Sequence, residues 1–385
     1  MRFDFVRPGP SRREFLTLAA GAAAWAACRS QSAPGNEGLI KSRSPDVFIQ
    51  HGLYNAETRL ESLPSDSLIT PTASFYIRNH GPTPTIASET WSLQVFGDGV
   101  ARPLRLSYLE LTSMPSVRVI RYLECAGNGR AYFGELMGRP AEGSQWRDGG
   151  YGVAEWTGVP LAAILQRAGV RPHAAWVMPV SLDGERYARP LPLGKAMADD
   201  TILAYAMNGA PLPPDHGFPA RVLVPGWVGA ASVKWVGTLE VTARRPAVQM
   251  NTEDYVFLGP DYPLPPPPLT TLVVKSVVCL PWPAVLAAGR QTVAGLAWSP
   301  FGKIAGVDVS LDGGRNFHPA RLVGDNLPVA GTRWQFDFDA GPGDLTVTPR
   351  AVDEHGHGQP SLAEQKWNEK GYLFAAPVPH PLHIV

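Results

Sequence analysis

Four consecutive prolines, Pro265-Pro266-Pro267-Pro268, limit how this chain can fold more than any other stretch. Residues 261–269, which contain them, can be neither helix nor central strand, because proline fixes φ and lacks a backbone donor. The stretch reads as an extended, semi-rigid spacer, and a domain boundary belongs there, with the linker spanning residues 249–269. Ahead of it, residues 45–248 mix short strands with short helices. Trp91-Ser92-Leu93-Gln94-Val95 reads as a strand with Asp98-Gly99 behind it, and residues 202–207 as another, turned by Asn208-Gly209. The clearest helix starts at Pro160, with Leu161, Ile164, Leu165 and Ala168 at helical spacing and Gly169 as its stop. After the linker only strand patterns occur, at residues 272–278, 292–298, 304–311, 334–338 and 345–352. Short strands at this spacing predict an immunoglobulin-like β-sandwich over residues 270–385. The expected fold class is therefore α+β, a mixed α/β domain followed by an all-β one.

Gly and Pro number 39 each in 385 residues, about a tenth apiece and well above the usual share, which excludes long helical bundles. Lys+Arg and Asp+Glu number 34 each, so the chain is neutral overall and no nucleic-acid partner is indicated. Any anion site must be local. Ser11-Arg12-Arg13-Glu14-Phe15-Leu16, followed by an Ala-rich apolar run, is a twin-arginine export pattern, and residues 1–34 read as signal peptide and tether. The expected destination is the periplasm or the outer cell surface. The membrane enters only if Cys28, behind Ala26-Ala27, carries a lipid. Cys125 and Cys279 then remain, too few for a disulfide framework in a chain this size. Cys279, within Val277-Val278-Cys279-Leu280, reads as core.

Residues 117–130, VRVIRYLECAGNGR, deliver Cys125 from a strand into a turn of small residues. Val117, Val119 and Leu123 alternate with Arg118, Ile120 and Tyr122, and Ala126-Gly127-Asn128-Gly129 breaks the pattern. Three roles fit such a thiol: a soft metal ligand, a nucleophile, or a small buried residue of no chemical consequence.

Glu124-Cys125-Ala126-Gly127-Asn128-Gly129-Arg130 resembles the cysteine loop of the sulfite oxidase family. Four further blocks are similar to that family's, in the family's order: Phe75-Tyr76-Ile77-Arg78-Asn79-His80-Gly81-Pro82, then Asp215-His216-Gly217-Phe218-Pro219-Ala220-Arg221, then Val233-Lys234-Trp235, then Val307-Asp308-Val309-Ser310-Leu311-Asp312-Gly313-Gly314. The resemblance implies that residues 45–248 bind molybdopterin and that Cys125 is the single protein ligand to a molybdenum carried by one pterin dithiolene. It implies an anionic substrate held by Arg78 and Arg130, whose guanidinium forks match a sulfur oxyanion bidentately. Tyr255 would stand at the reacting oxygen and Trp146 would line the pocket, with Lys303 as a cation from the second domain, a lysine where arginine is more usual. Asn79, His80 and Asp183 would contact the pterin. His216, Arg221, Ser232 and Lys234, with the backbone of Gly229-Ala230-Ala231, would hold its phosphate.

The implied reaction is oxidation of sulfite to sulfate, with electrons leaving singly to an external c-type cytochrome. No CxxCH haem motif occurs, so no haem is expected in this chain. The resemblance also implies a homodimer built on the second domain. Alternatives within the superfamily are dehydrogenation of a carrier-bound sulfane, nitrate reduction and methionine-sulfoxide reduction. Outside it stands an exported binding module, for which residues 270–385 alone would suffice. No GxxxxGK, HExxH or Gly-x-Ser-x-Gly pattern supports a nucleotide, zinc-protease or serine-hydrolase reading.

Overall fold

The computed structural model describes residue 41 and residues 44–385; the twin-arginine pattern and Cys28 lie outside the described residues. Strands dominate and helices are few. The longest described α-helix, Leu161–Ala168, is the one that its apolar spacing predicts, with Leu161, Ile164, Leu165 and Ala168 buried and Gly169 ending it at φ 73°. Strands up to Thr242 form a hairpin and two five-stranded sheets, and strands from Lys275 onward form a four-stranded and a five-stranded sheet. The mixed α/β character expected of the first half is thus weak: it is mostly β, with short helices at the strand ends.

One of the first-half sheets positions the cysteine. Val117–Glu124 pairs antiparallel along its full length with Tyr151–Pro160, from Val117 opposite Gly158 to Glu124 opposite Tyr151. Tyr151–Pro160 pairs in turn with Ile202–Met207, which turns through Asn208 and Gly209, both at positive φ, and also receives Arg221–Leu223. The Cys125 loop and Arg221 are therefore carried by one sheet. Tyr151–Pro160 shows no alternation in sequence because buried residues fall on both of its faces and none is exposed.

In the second half two sheets face each other across Val293, Val307, Val309, Trp334 and Val347. The strands expected there are present, several of them longer, as in Gly289–Trp298 and Gly331–Ala340. Arg321–Leu327, an edge strand with no fully buried residue, and His380–Ile384, which contains Pro381, carried no strand pattern. The proline stretch is not a free spacer. Phe257 N–H donates to the Pro267 carbonyl and Leu269 N–H to the Tyr255 carbonyl, each at 2.8 Å, so it folds back on residues 255–257.

The halves share a core, since Val277, Leu296 and Trp298 join the first half's cluster, and Arg333 Nε reaches the Ser67 carbonyl at 2.7 Å. Cys125 and Cys279 are both free. Burial pushes the Cys279 thiol up to about 12, as suits a core position.

His380, 4% exposed against Trp282, is brought down to about 4 by burial. An unfolded histidine titrates near ~6.5, so between about 6.5 and 4 the unfolded chain binds a proton that the folded chain does not. Stability is then lost as pH falls through that window. His380→Gln should flatten this limb of the melting-temperature profile; an unchanged slope would count against a neutral buried imidazole.

Candidate active site

Cys125 stands directly after the strand Val117–Glu124, its N–H bonded to the Gly150 carbonyl at 2.8 Å and its carbonyl to Asn128 N–H at 3.0 Å. Gly129 at φ 91° then starts the helix Arg130–Glu135. Gly150 has no room for a side chain: a Cβ there would meet Asn128 Oδ1 at 2.9 Å, Trp146 at 3.2 Å and Cys125 Cβ at 3.3 Å. Trp146 accordingly packs behind the cysteine, 1% exposed and edge-on to Tyr76, and does not line the cleft.

The half-buried cysteine opens into a cleft whose lining includes Arg78, Asn79, His80, Asp183, Arg221, Ser232, Lys234 and Tyr255. Widely separated segments meet there. Arg78 donates to the Asn79 carbonyl, and its Nη2 lies 3.4 Å from His80 Nε2, which Tyr255 Oη approaches to 3.1 Å. With an arginine and a hydroxyl converging on it, Nε2 acts as acceptor, so the ring is neutral. Desolvation in the cleft and the nearby cations Arg78 and Lys234 bring its pKa down to about 3. Arg78 itself is desolvated, yet the ionisable Tyr255, Cys125, Tyr187 and Tyr372 around it together outweigh this and raise its pKa, so it stays charged. Burial raises the Tyr255 pKa and keeps that hydroxyl a donor. Lys234 donates to Asn79 Oδ1 and to the Asp215 carbonyl, and Ser232 Oγ accepts from Val224 N–H at 3.0 Å. Asp183 accepts from Tyr187 N–H at 3.0 Å, so it shapes its own turn as well as the cleft wall.

Besides Trp146, three predicted residues stand off the lining. His216 is 2% exposed behind it, its Nε2 3.0 Å from Lys41 Nζ while its carbonyl accepts from Arg221. Arg130 spends Nε and Nη1 on the carbonyls of Lys370 and Ser144, each at 3.0 Å, and lies over the Tyr372 ring. Lys303 is exposed, its backbone paired with Glu354. The second-half cation that does reach the Tyr255 segment is Lys370, 3.9 Å from Asp254. Sequence reasoning also passed over Tyr187, stacked on His80 at 4.7 Å, and Tyr372, stacked on Tyr255 at 5.3 Å. Both lie in irregular stretches without periodicity, and only the fold brings them to the cleft.

The donor set calls for an anion. Burial lowers Lys234 well below the ordinary lysine range and brings Arg221 down to about 10. Arg221 Nε is buried without a partner. A Cβ at Gly229 would strike the Glu124 carbonyl at 2.8 Å, so the turn Gly229–Ala231 approaches the cysteine strand as only glycine allows. A thiol, a buried guanidinium with one unpartnered Nε and a neutral phenol suit a soft metal on an anionic carrier, together with an anionic substrate.

Comparison with known proteins points the same way. Residues 80–250 match the oxidoreductase molybdopterin binding domain, and residues 267–376 the Mo-co oxidoreductase dimerisation domain. The chain is 37% identical to sulfite oxidase of Gallus gallus over 347 residues, 84% of this chain and 74% of that protein. It is 34% identical to the mitochondrial sulfite oxidase of Homo sapiens over 353 residues, 86% of this chain and 64% of that one. The sulfane dehydrogenase SoxCD from Paracoccus pantotrophus superposes with a TM-score of 0.77 at 31% identity, covering 91% of this chain and 90% of its own.

Repulsion among the buried cations should be relieved by any anion that enters the cleft. Phosphate should therefore stabilise the cofactor-free chain against unfolding, relative to chloride at matched ionic strength, by about 1.4 kcal/mol at ten times its dissociation constant, read as a higher melting temperature. Lys234→Met should lose most of this gain. An equal gain in the variant would place the anion elsewhere.

Proposed function

The chain belongs to the sulfite oxidase family of molybdopterin oxidoreductases, and on that premise we propose that it oxidises sulfite to sulfate and passes two electrons, one at a time, to a c-type cytochrome. The overall change consumes one water and releases two protons with the two electrons. The observation that carries this reading is the meeting of Cys125, Arg78 and Tyr255 in one cleft with the buried donors Arg221, Ser232 and Lys234.

When bound, a molybdenum on one pterin dithiolene supplies the transferable oxygen and takes up the electrons. Cys125 would be its thiolate ligand. Asn79, His80 and Asp183 would meet the pterin, while Arg221, Ser232 and Lys234 would hold the phosphate, with His216 behind them accepting from Arg221 through its carbonyl, and the unpartnered Arg221 Nε and the close Gly229 turn fit that group. Arg78, whose charge its surroundings secure, binds and orients the sulfur oxyanion. Tyr255 stays protonated and offers a hydroxyl proton to an oxygen beside it. Arg130 flanks the loop, anchored to the Lys370 carbonyl.

Export by the twin-arginine route to the periplasm or outer surface, and a homodimer built on an immunoglobulin-like second domain, complete the proposal. The two packed sheets and the dimerisation-domain match support the latter. A second reading, oxidation of a sulfane, draws on the likeness to SoxCD, which extends over both halves.

Sulfite-dependent reduction of ferricyanide, with molybdenum quantified on the same sample, separates the two: turnover supports the first reading, and a metal-loaded enzyme inert to sulfite favours the second. Cys125→Ser should abolish turnover with the melting temperature retained; sulfite oxidation in that variant would refute the ligand assignment. Arg78→Gln should raise KM for sulfite about tenfold or more, the effect of losing a charge-assisted pair of roughly 1.5–3 kcal/mol. An unchanged KM would put Arg78 outside the substrate pocket.

A further inference from the structure

The loop that carries Cys125 is held from beneath by a charge from the other half of the molecule. Lys275, in the strand Lys275–Val278, places Nζ 2.7 Å from Glu124 Oε1 and donates to the Asn128 carbonyl at 2.8 Å. Glu124, adjacent to Cys125, also accepts from the Trp298 indole N–H at 2.8 Å and from Asn128 Nδ2 at 3.0 Å. Asn128 Oδ1 in turn accepts the Gly150 N–H at 2.9 Å, and the Gly150 carbonyl accepts the N–H of Cys125 itself at 2.8 Å. Glu124, Asn128 and Trp298 are wholly buried and Lys275 is 6% exposed. None of these four lines the cleft.

We propose that Lys275 is a positioning residue for Cys125: its ammonium joins Glu124 and Asn128, the residues on either side of the cysteine turn, and so fixes where the thiol points. A buried ion pair often adds little net stability over an apolar filling. What this one adds is direction. The ammonium engages both residues that flank the three-residue stretch Cys125-Ala126-Gly127, whereas a methionine of similar length would fill the space and orient neither. The second half of the chain thereby sets the geometry of a residue on the first. The consequence for catalysis rests on Cys125 being the metal ligand; the effect on the loop does not.

The test compares Lys275→Met with Arg333→Met, whose guanidinium crosses the same seam to the Ser67 and Pro64 carbonyls. The first readout is the rate at which iodoacetamide modifies Cys125 in the full chain purified without cofactor, well below the melting temperature. Lys275→Met should shift that rate about tenfold, the low end of what outer contacts impose on a ligand, and Arg333→Met should leave it at the wild-type value. In the loaded enzyme, Lys275→Met should lower kcat with KM for sulfite within about twofold, because the substrate pocket is untouched. If both variants lower the melting temperature while Cys125 reacts at the wild-type rate, Lys275 only joins the two halves and the proposal fails. A shifted rate in a protein that oxidises no sulfite upholds the positioning and counts against the substrate reading instead. Should Lys275→Met not fold, Lys275→Met with Glu124→Gln leaves no unpaired buried carboxylate and gives the same rate measurement.

Discussion

Burying several cations in one cleft is the constraint to which the rest of the first half is fitted. A desolvated ammonium or guanidinium is costly unless partners return its hydration energy. Here the returns are partial: carbonyls of His216, Ser232 and Asp215 accept from Arg221 and Lys234, and the carboxylates of Asp215 and Asp183 act on Lys234. Arg221 Nε receives nothing from the protein. An anion supplies what is missing, which makes the cleft a receptor before any catalytic role is considered. The chain's overall neutrality, 34 acidic against 34 basic residues, conceals this local excess completely.

The second half does more than pack against this receptor. It closes the seam with Trp298 stacked on Tyr151 at 3.9 Å, and its late segment runs along the cysteine turn, with Leu373 N–H on the Ala126 carbonyl and the Lys370 carbonyl on Arg130. Gly371 must be glycine there, since a Cβ would meet Arg130 at 2.5 Å. Tyr372 then stacks against Tyr255, so two tyrosines from opposite halves stand together near the arginines. A domain matched as a dimerisation unit is in this chain also part of the frame of the cysteine loop.

Much of this could be read in advance where the signal was local. The helix Leu161–Ala168 follows from spacing and a terminal glycine, and Ile202–Met207 with its Asn208-Gly209 turn from alternation and a left-handed pair. The cysteine strand ended where small residues replaced its alternation. Signals failed where burial or exposure was uniform. Tyr151–Pro160, covered on both faces, and Arg321–Leu327, open at an edge, have no period to detect. The proline stretch was correctly excluded from helix and sheet, but its return onto residues 255–257 depends on carbonyls that carry no sequence mark.

For the site the division is similar. The sequence by itself determined which side chains could do the chemistry: a thiol at a strand end, arginines in matching motifs, a tyrosine, and donors near Gly229, because motif order preserves residue type and local turn geometry. Only the tertiary structure decided which of them face a common space. It put Trp146 and His216 behind the cleft wall, turned Arg130 to backbone carbonyls, left Lys303 exposed, and brought Tyr187, Tyr372 and Lys275 to positions their neighbours in sequence do not suggest. The physical reason is separation along the chain. Glu124 and Lys275 meet only after two sheets have packed, and the energy of that meeting belongs to the buried pair rather than to either local stretch.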